Sequence, residues 1–296
     1  MANNDLVALY WTTSGPVEVH AGREWSLFDI RDRCEEAAKA GFSGIGIWHA
    51  DLEHILETRS LQELKQLLDG HGLRCTELEC LWDWFLDEDD ERRRASDATR
   101  RLLFEAAAVL EPHHIKATNI PSTPCPVPQI TEKFAELCAD AANHHSAKIV
   151  YEFMPPDVNV HDVETALRVV GDAGAENGGL AIDTWHMGKL AIAPDDLRAI
   201  PSRYLTWVEL SDGQIENMPD PVDETVNHRR LPGEGEFYLP GYVAVCQDLG
   251  YEGPWGVEVL SEELRRLPLA EICKRAYETS VAQFAEAAAL GGKERR

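Results

Sequence analysis

A chain of 296 residues is long enough for one large α/β unit or two small ones, and 44% apolar residues supply a sizeable core. Its 28 basic against 52 acidic residues leave a formal charge of −24, which repels phosphate backbones and anionic membrane surfaces and argues against a nucleic-acid partner. Seven scattered cysteines without a CxxC pair read as reduced thiols of a cytoplasmic protein; the Met-Ala-Asn-Asn start lacks a signal-peptide pattern, and no apolar run nears the roughly 18 residues of a membrane span.

Short apolar runs alternate with amphipathic stretches from one end to the other. Residues 6–10 predict the first strand, and 26–40 a helix with Ser26 as N-cap and Gly41 as its stop. Strands follow at 44–48, 74–80, 115–119 and 148–153, separated by helices at 60–70, 95–110 and 131–143. A helix at 161–171 leads to a strand at 180–183, a short helix from about 193 and a strand at 205–210. A long polar loop, 211–237, precedes a helix at 240–249, a last strand at 256–260 and a closing helix at 261–289. Strict alternation implies parallel strands with right-handed crossovers. Eight such units predict a single (β/α)8 TIM barrel, one domain over residues 1–296. No GxGxxG follows the first strand, and the loop 211–237 is too long for an idle connection.

In such a barrel the chemistry sits at the C-terminal strand ends. Acids interrupt apolar runs at four of them: Glu152 in Val-Tyr-Glu-Phe-Met, Asp183 in Ala-Ile-Asp-Thr-Trp-His, Glu209 in Trp-Val-Glu-Leu-Ser-Asp and Glu258 in Trp-Gly-Val-Glu-Val. One such acid alone is explained by a helix cap or a salt bridge. Four around one barrel mouth repel unless some are protonated or a cation neutralises them. Oxygen ligands favour Mn2+ or Mg2+ over Zn2+. His186, three residues after Asp183, and His49, after the second strand, stand where they can reach the same mouth. In the long loop Arg229 and Arg230 either meet a substrate oxygen or pair with surplus carboxylates. Trp11, Trp48, Trp82, Trp84, Phe85 and Trp185 lie at or beyond strand ends and read either as core or as an aromatic wall for a sugar ring.

At these residues the chain resembles the xylose-isomerase-like barrel superfamily of sugar phosphate isomerases and epimerases, over essentially its whole length. The pieces that carry the resemblance are Tyr-Glu-Phe at 151–153, Asp-Thr-Trp-His at 183–186, Glu-Leu-Ser-Asp at 209–212, Leu-Pro-Gly-Glu-Gly-Glu at 231–236 and Gly-Val-Glu at 256–258. The resemblance implies that Glu152, Asp183 and Glu258 hold a divalent metal, with position 209 as fourth ligand. It implies that Glu152 and Glu258 move protons, and that His186 and Arg229 or Arg230 touch substrate oxygens. His49 and Trp11 join them as substrate-facing candidates. At position 209 the family usually has histidine, and some dehydratase relatives glutamine; this chain has glutamate.

The expectation is a metal-dependent isomerase or epimerase that abstracts a proton next to a carbonyl of a keto-sugar or polyol and passes through an enediolate. A lyase that eliminates from a 3-keto-glycoside, inosose or dehydroshikimate-like substrate shares the first step. A non-catalytic sugar-binding barrel, in which the acids are structural, is the rival of a different class. A homo-oligomer is compatible with the fold, and no sequence feature fixes its number.

Overall fold

The structure, a computed structural model, describes residues 5–19 and 22–291. Eight parallel strands run in the order β1 to β8, and β8 pairs back onto β1 to close a barrel. The strands are β1 (Leu6–Ala8), β2 (Gly44–Trp48), β3 (Arg74–Leu81), β4 (His114–Ala117), β5 (Lys148–Glu152), β6 (Gly178–Asp183), β7 (Leu205–Leu210) and β8 (Trp255–Val257). The main outer helices are α1 (Ile30–Ala40), α2 (Leu61–Gly70), α3 (Glu91–Leu110), α4 (Val127–His144), α5 (Val163–Ala173), α6 (Leu239–Asp248) and α7 (Leu269–Gly291). A short helix, His49–Leu56, lies directly after β2, and another, Thr184–Lys189, after β6. No helix among the described residues is long and apolar enough to cross a membrane.

Local chemistry explains the boundaries. The α2 helix opens on a capping box, Ser60 and Glu63 bonding each other's backbone N–H. Gly41 ends α1 at φ 112°, as expected, against the ring of Tyr277. Its start differs from the sequence expectation: Asp29 is the N-cap, accepting from the Arg31 N–H, while the Ser26 hydroxyl donates to the Ser14 carbonyl 2.8 Å away. The closing helix is broken. A short segment, Glu262–Arg265, precedes α7, because Pro268 has no N–H to continue the ladder. The long loop contains a helix, Pro221–Asn227, capped by Asp220.

Inward-facing residues fill the barrel in tiers. Val7, Leu9, Val150, Ala181 and Trp207 form an apolar plug. Above it the lumen is polar. The alternation of Thr-Glu-Leu-Glu-Cys in β3 and His-Ile-Lys-Ala in β4 marks a lumen face rather than a solvent face, since all these residues are buried. Gly256 makes this filling possible: a Cβ there would stand 2.8 Å from the Trp207 ring and 3.2 Å from Cγ of Glu209.

Candidate functional site

Glu152, Asp183, Glu209 and Glu258 each bring a carboxylate oxygen within 4.8 Å of the others, and all four are buried. Asp183 ends β6 and caps the helix Thr184–Lys189: its Oδ1 accepts from the Trp185 N–H at 2.8 Å. Its Oδ2 accepts from Arg229 Nη1 at 2.7 Å, and the same nitrogen reaches Glu258 Oε2 at 3.0 Å. Nε2 of His186, on the first turn after Asp183, lies 3.3 Å from Glu152 Oε1 and 3.4 Å from Asp183 Oδ2. The Arg229 guanidinium sits 4.7 Å above the Trp185 ring, and its Nε donates to the Thr225 carbonyl.

A lysine stands beneath these acids. Lys116 on β4 places Nζ 2.7 Å from Glu209, 3.0 Å from Glu258, 3.5 Å from Glu79, 3.6 Å from Glu77 and 3.8 Å from Glu152. Burial by itself would strip its proton; the carboxylates around it reverse that and hold it charged. Deeper still, His114 Nε2 meets Glu77 at 2.8 Å against the Trp207 ring.

These environments push the acids apart. Burial opposes the ionisation of Glu152, but Lys116, His186 and Arg229 outweigh it and hold its carboxyl down at about 2. Burial and the charges of Glu152 and Asp183 raise Glu258, against the pull of Lys116 and Arg229. Burial and neighbouring carboxylates lift Glu79 and Glu209 well above the usual range.

A cavity of about 800 Å3 opens over this floor. Glu79, Lys116, Glu152, His186, Arg229 and Glu258 line its base, and Trp11, Trp48, Trp82, Ile120, Met154 and Trp185 stand among its apolar walls. Lys189, paired with Glu224, lies on its rim.

The structure thus brings Glu152, Asp183, Glu209, Glu258, His186, Arg229 and Trp11 together. Arg230 is exposed, and its backbone pairs with Asp212. His49 lies behind the wall, packed on Trp48 and Trp82. Of the aromatics, Trp84 and Phe85 belong to the core. Sequence reading missed Lys116, Glu79, Glu77 and His114. The signal was the one used for the acids, a charged residue breaking an apolar run, as Lys116 does in Ile-Lys-Ala. In β3 the regular alternation disguised it as a half-exposed strand.

A closed eight-stranded parallel barrel is a TIM barrel, and its buried acids gather at the strand ends where this fold carries its chemistry. The chain belongs to the xylose isomerase-like TIM barrel family, whose model matches residues 34–282. A 3-dehydroshikimate dehydratase of Pseudomonas putida is 24% identical over 242 residues, 81% of this chain but only 37% of that protein. The chain therefore spans little more than a third of the length of that dehydratase. An inosose isomerase of Bacillus velezensis is 23% identical over 270 residues, 86% of this chain and 91% of the isomerase. The crystal structure of the IolI protein with a bound zinc atom shares the fold, with a TM-score of 0.80 at 20% identity over 96% of this chain and 99% of that one.

Proposed function

We propose that this chain is a divalent-metal-dependent isomerase or epimerase that moves a proton at the carbon beside a carbonyl of a keto-sugar or related polyol. The observation that carries this reading is the placement of Glu152 and Glu258. They come from strands on different sides of the barrel, line the same cavity floor and have opposite tendencies to ionise. Such a divergent pair supplies a base and an acid at one pH.

The donor set suits a hard cation. Lys116 and Arg229 are outnumbered by the carboxyls of the lumen, and Glu152 Oε1 and Glu79 Oε1 are buried without a hydrogen-bond partner. Glu152, Asp183 and Glu258 would hold the ion, with Glu209 the fourth carboxylate within reach, and an all-oxygen set favours Mn2+ or Mg2+. When bound, such an ion supplies Lewis acidity that polarises a carbonyl oxygen. The side chains do the rest. The Glu152 carboxylate takes the proton, and the Glu258 carboxyl returns one from the other side. His186 Nε2 and the Arg229 guanidinium bind hydroxyl oxygens of the substrate. The Trp11 and Trp48 rings flank it and exclude water.

Incubation of keto-sugars and polyol ketones with the protein and Mn2+ in deuterated water tests this. Deuterium at the carbon beside the carbonyl, in an epimer or isomer, is the expected result; no exchange with any ketone sinks it. Elimination is the second reading, favoured by the match to a protein named as a dehydratase over 81% of this chain. Loss of water or of a glycosidic group in the same tubes would select it.

A further inference from the structure

We propose that Lys116 and the buried Glu209 form a built-in pairing of the barrel floor, so that a divalent ion in this site is held by Glu152, Asp183 and Glu258 and not by Glu209. The inference rests on the metal reading above and narrows its ligand set.

Glu209 Oε1 already has two close partners, the Lys116 ammonium at 2.7 Å and the Trp207 Nε1–H, which donates to it at 2.7 Å. An ammonium and an indole N–H on one oxygen leave it little basicity for a metal. Trp207 cannot give way, because it is fully buried in the apolar plug with Val7, Leu9, Val150 and Ala181. The stem of Glu209 is seated too, with its Cγ over Gly256, and its carboxyl lies against that of Glu77 below.

The groups facing the cavity make the opposite choice. His186 meets Glu152 and Asp183; Arg229 meets Asp183 and Glu258. Glu152 and Glu258 line the cavity; Asp183 and Glu209 do not, but Asp183 is joined to the cavity-facing groups through His186 and Arg229, whereas Glu209, 0% exposed, is not. The acids therefore fall into two tiers. Glu152, Asp183 and Glu258 are addressed from above by groups suited to a ligand, and Glu209 is addressed from below by the protein. Lys116 is a positioning residue between the tiers: it also reaches Glu258 at 3.0 Å and fixes that carboxyl from beneath.

The test is a calorimetric titration of Mn2+ into metal-stripped wild type and variants, with thermal unfolding of the metal-free proteins beside it. Glu209→Gln should keep the wild-type Kd within about threefold, whereas Asp183→Asn should weaken it by at least about tenfold, the scale of losing a group that shapes a metal site. Lys116→Met should bind Mn2+ more tightly than wild type, because it frees Glu209 to turn to the ion. Should that variant fail to fold, the double variant Lys116→Met with Glu209→Gln should retain the wild-type affinity. Equal losses for Glu209→Gln and Asp183→Asn overturn the inference. So do strictly additive stability losses in the metal-free double-mutant cycle, since paired groups in contact must couple. If wild type binds no Mn2+ or Mg2+ while the cycle shows coupling, the metal reading fails and the floor pairing stands.

Discussion

The two oxygens of Asp183 serve different ends: Oδ1 caps the helix that carries His186, and Oδ2 holds Arg229 over the site. A helix cap and a contact facing the cavity thus coexist in one side chain. At Glu152 and Glu258 the role is sharper. Glu152→Gln and Glu258→Gln should each lower kcat by about 10^2 to 10^4, the usual range for a general acid or base, with KM little changed. Unchanged turnover of an identified substrate would return both acids to structure. His49 offers a pH test away from the floor. Burial behind Trp48 and Trp82 lowers its pKa from 6.5 to about 4. The unfolded chain then binds more protons than the folded one between those values, so stability falls as pH drops from 6.5 towards 4. Urea unfolding of wild type and His49→Gln across that window checks it: the variant should show the shallower acid loss.

At the scale of elements, the loop 211–237 decides how Arg229 is presented. Its helix Pro221–Asn227 is tied down by Arg265, whose Nη1 donates to the Val226 carbonyl at 2.9 Å and whose Nη2 reaches Asn227. Arg265→Ala should loosen that tie and raise KM by about tenfold, a modest misplacement of a binding group. Arg230→Ala, at an exposed position, should leave KM unchanged. Steady-state kinetics on the two variants separates them. Packing between strands is equally specific. A Cβ on Gly179 would lie 1.9 Å from Thr206 Oγ1 on β7, so Gly179→Ala should destabilise by about 1–3 kcal/mol in chemical denaturation.

The sequence announced β2 and β7 to the residue, because both are apolar runs with clear edges. It misplaced the start of α1, where Ser26, an ordinary N-cap type, lies four residues before the helix and bonds Ser14 instead. It showed the acids of β5 to β8 for the same reason that it hid Glu77 and Glu79. A charge inside an apolar run stands out, whereas alternating charges imitate a solvent face, and only closure of the sheet says which face is lumen. Whether Arg229 or Arg230 enters the site was undecidable before the fold, since adjacent residues in an extended loop point opposite ways.

For the whole molecule the question is what holds so acidic a lumen together. Glu77, Glu79, Glu152, Glu209 and Glu258 converge on one ammonium, so the barrel carries its own counter-charge before any metal arrives. Chelator-treated protein should therefore keep its circular dichroism spectrum and unfold cooperatively. Mn2+ at about 100 times its Kd should then add about 2.7 kcal/mol and raise Tm, as any ligand specific to the folded state does. A chelated protein that loses its fold would show the metal to be a structural necessity.

Lys116 also imposes an order of events. Its partners come from β3, β5, β7 and β8, and it sits on β4, so the contacts exist only after sequence-distant strands have met. A nascent chain with β8 still unpaired lacks Glu258 and has no closed floor. Closing the ring therefore also completes the set of carboxylates around Lys116, and the strand that closes it is the last one in the chain.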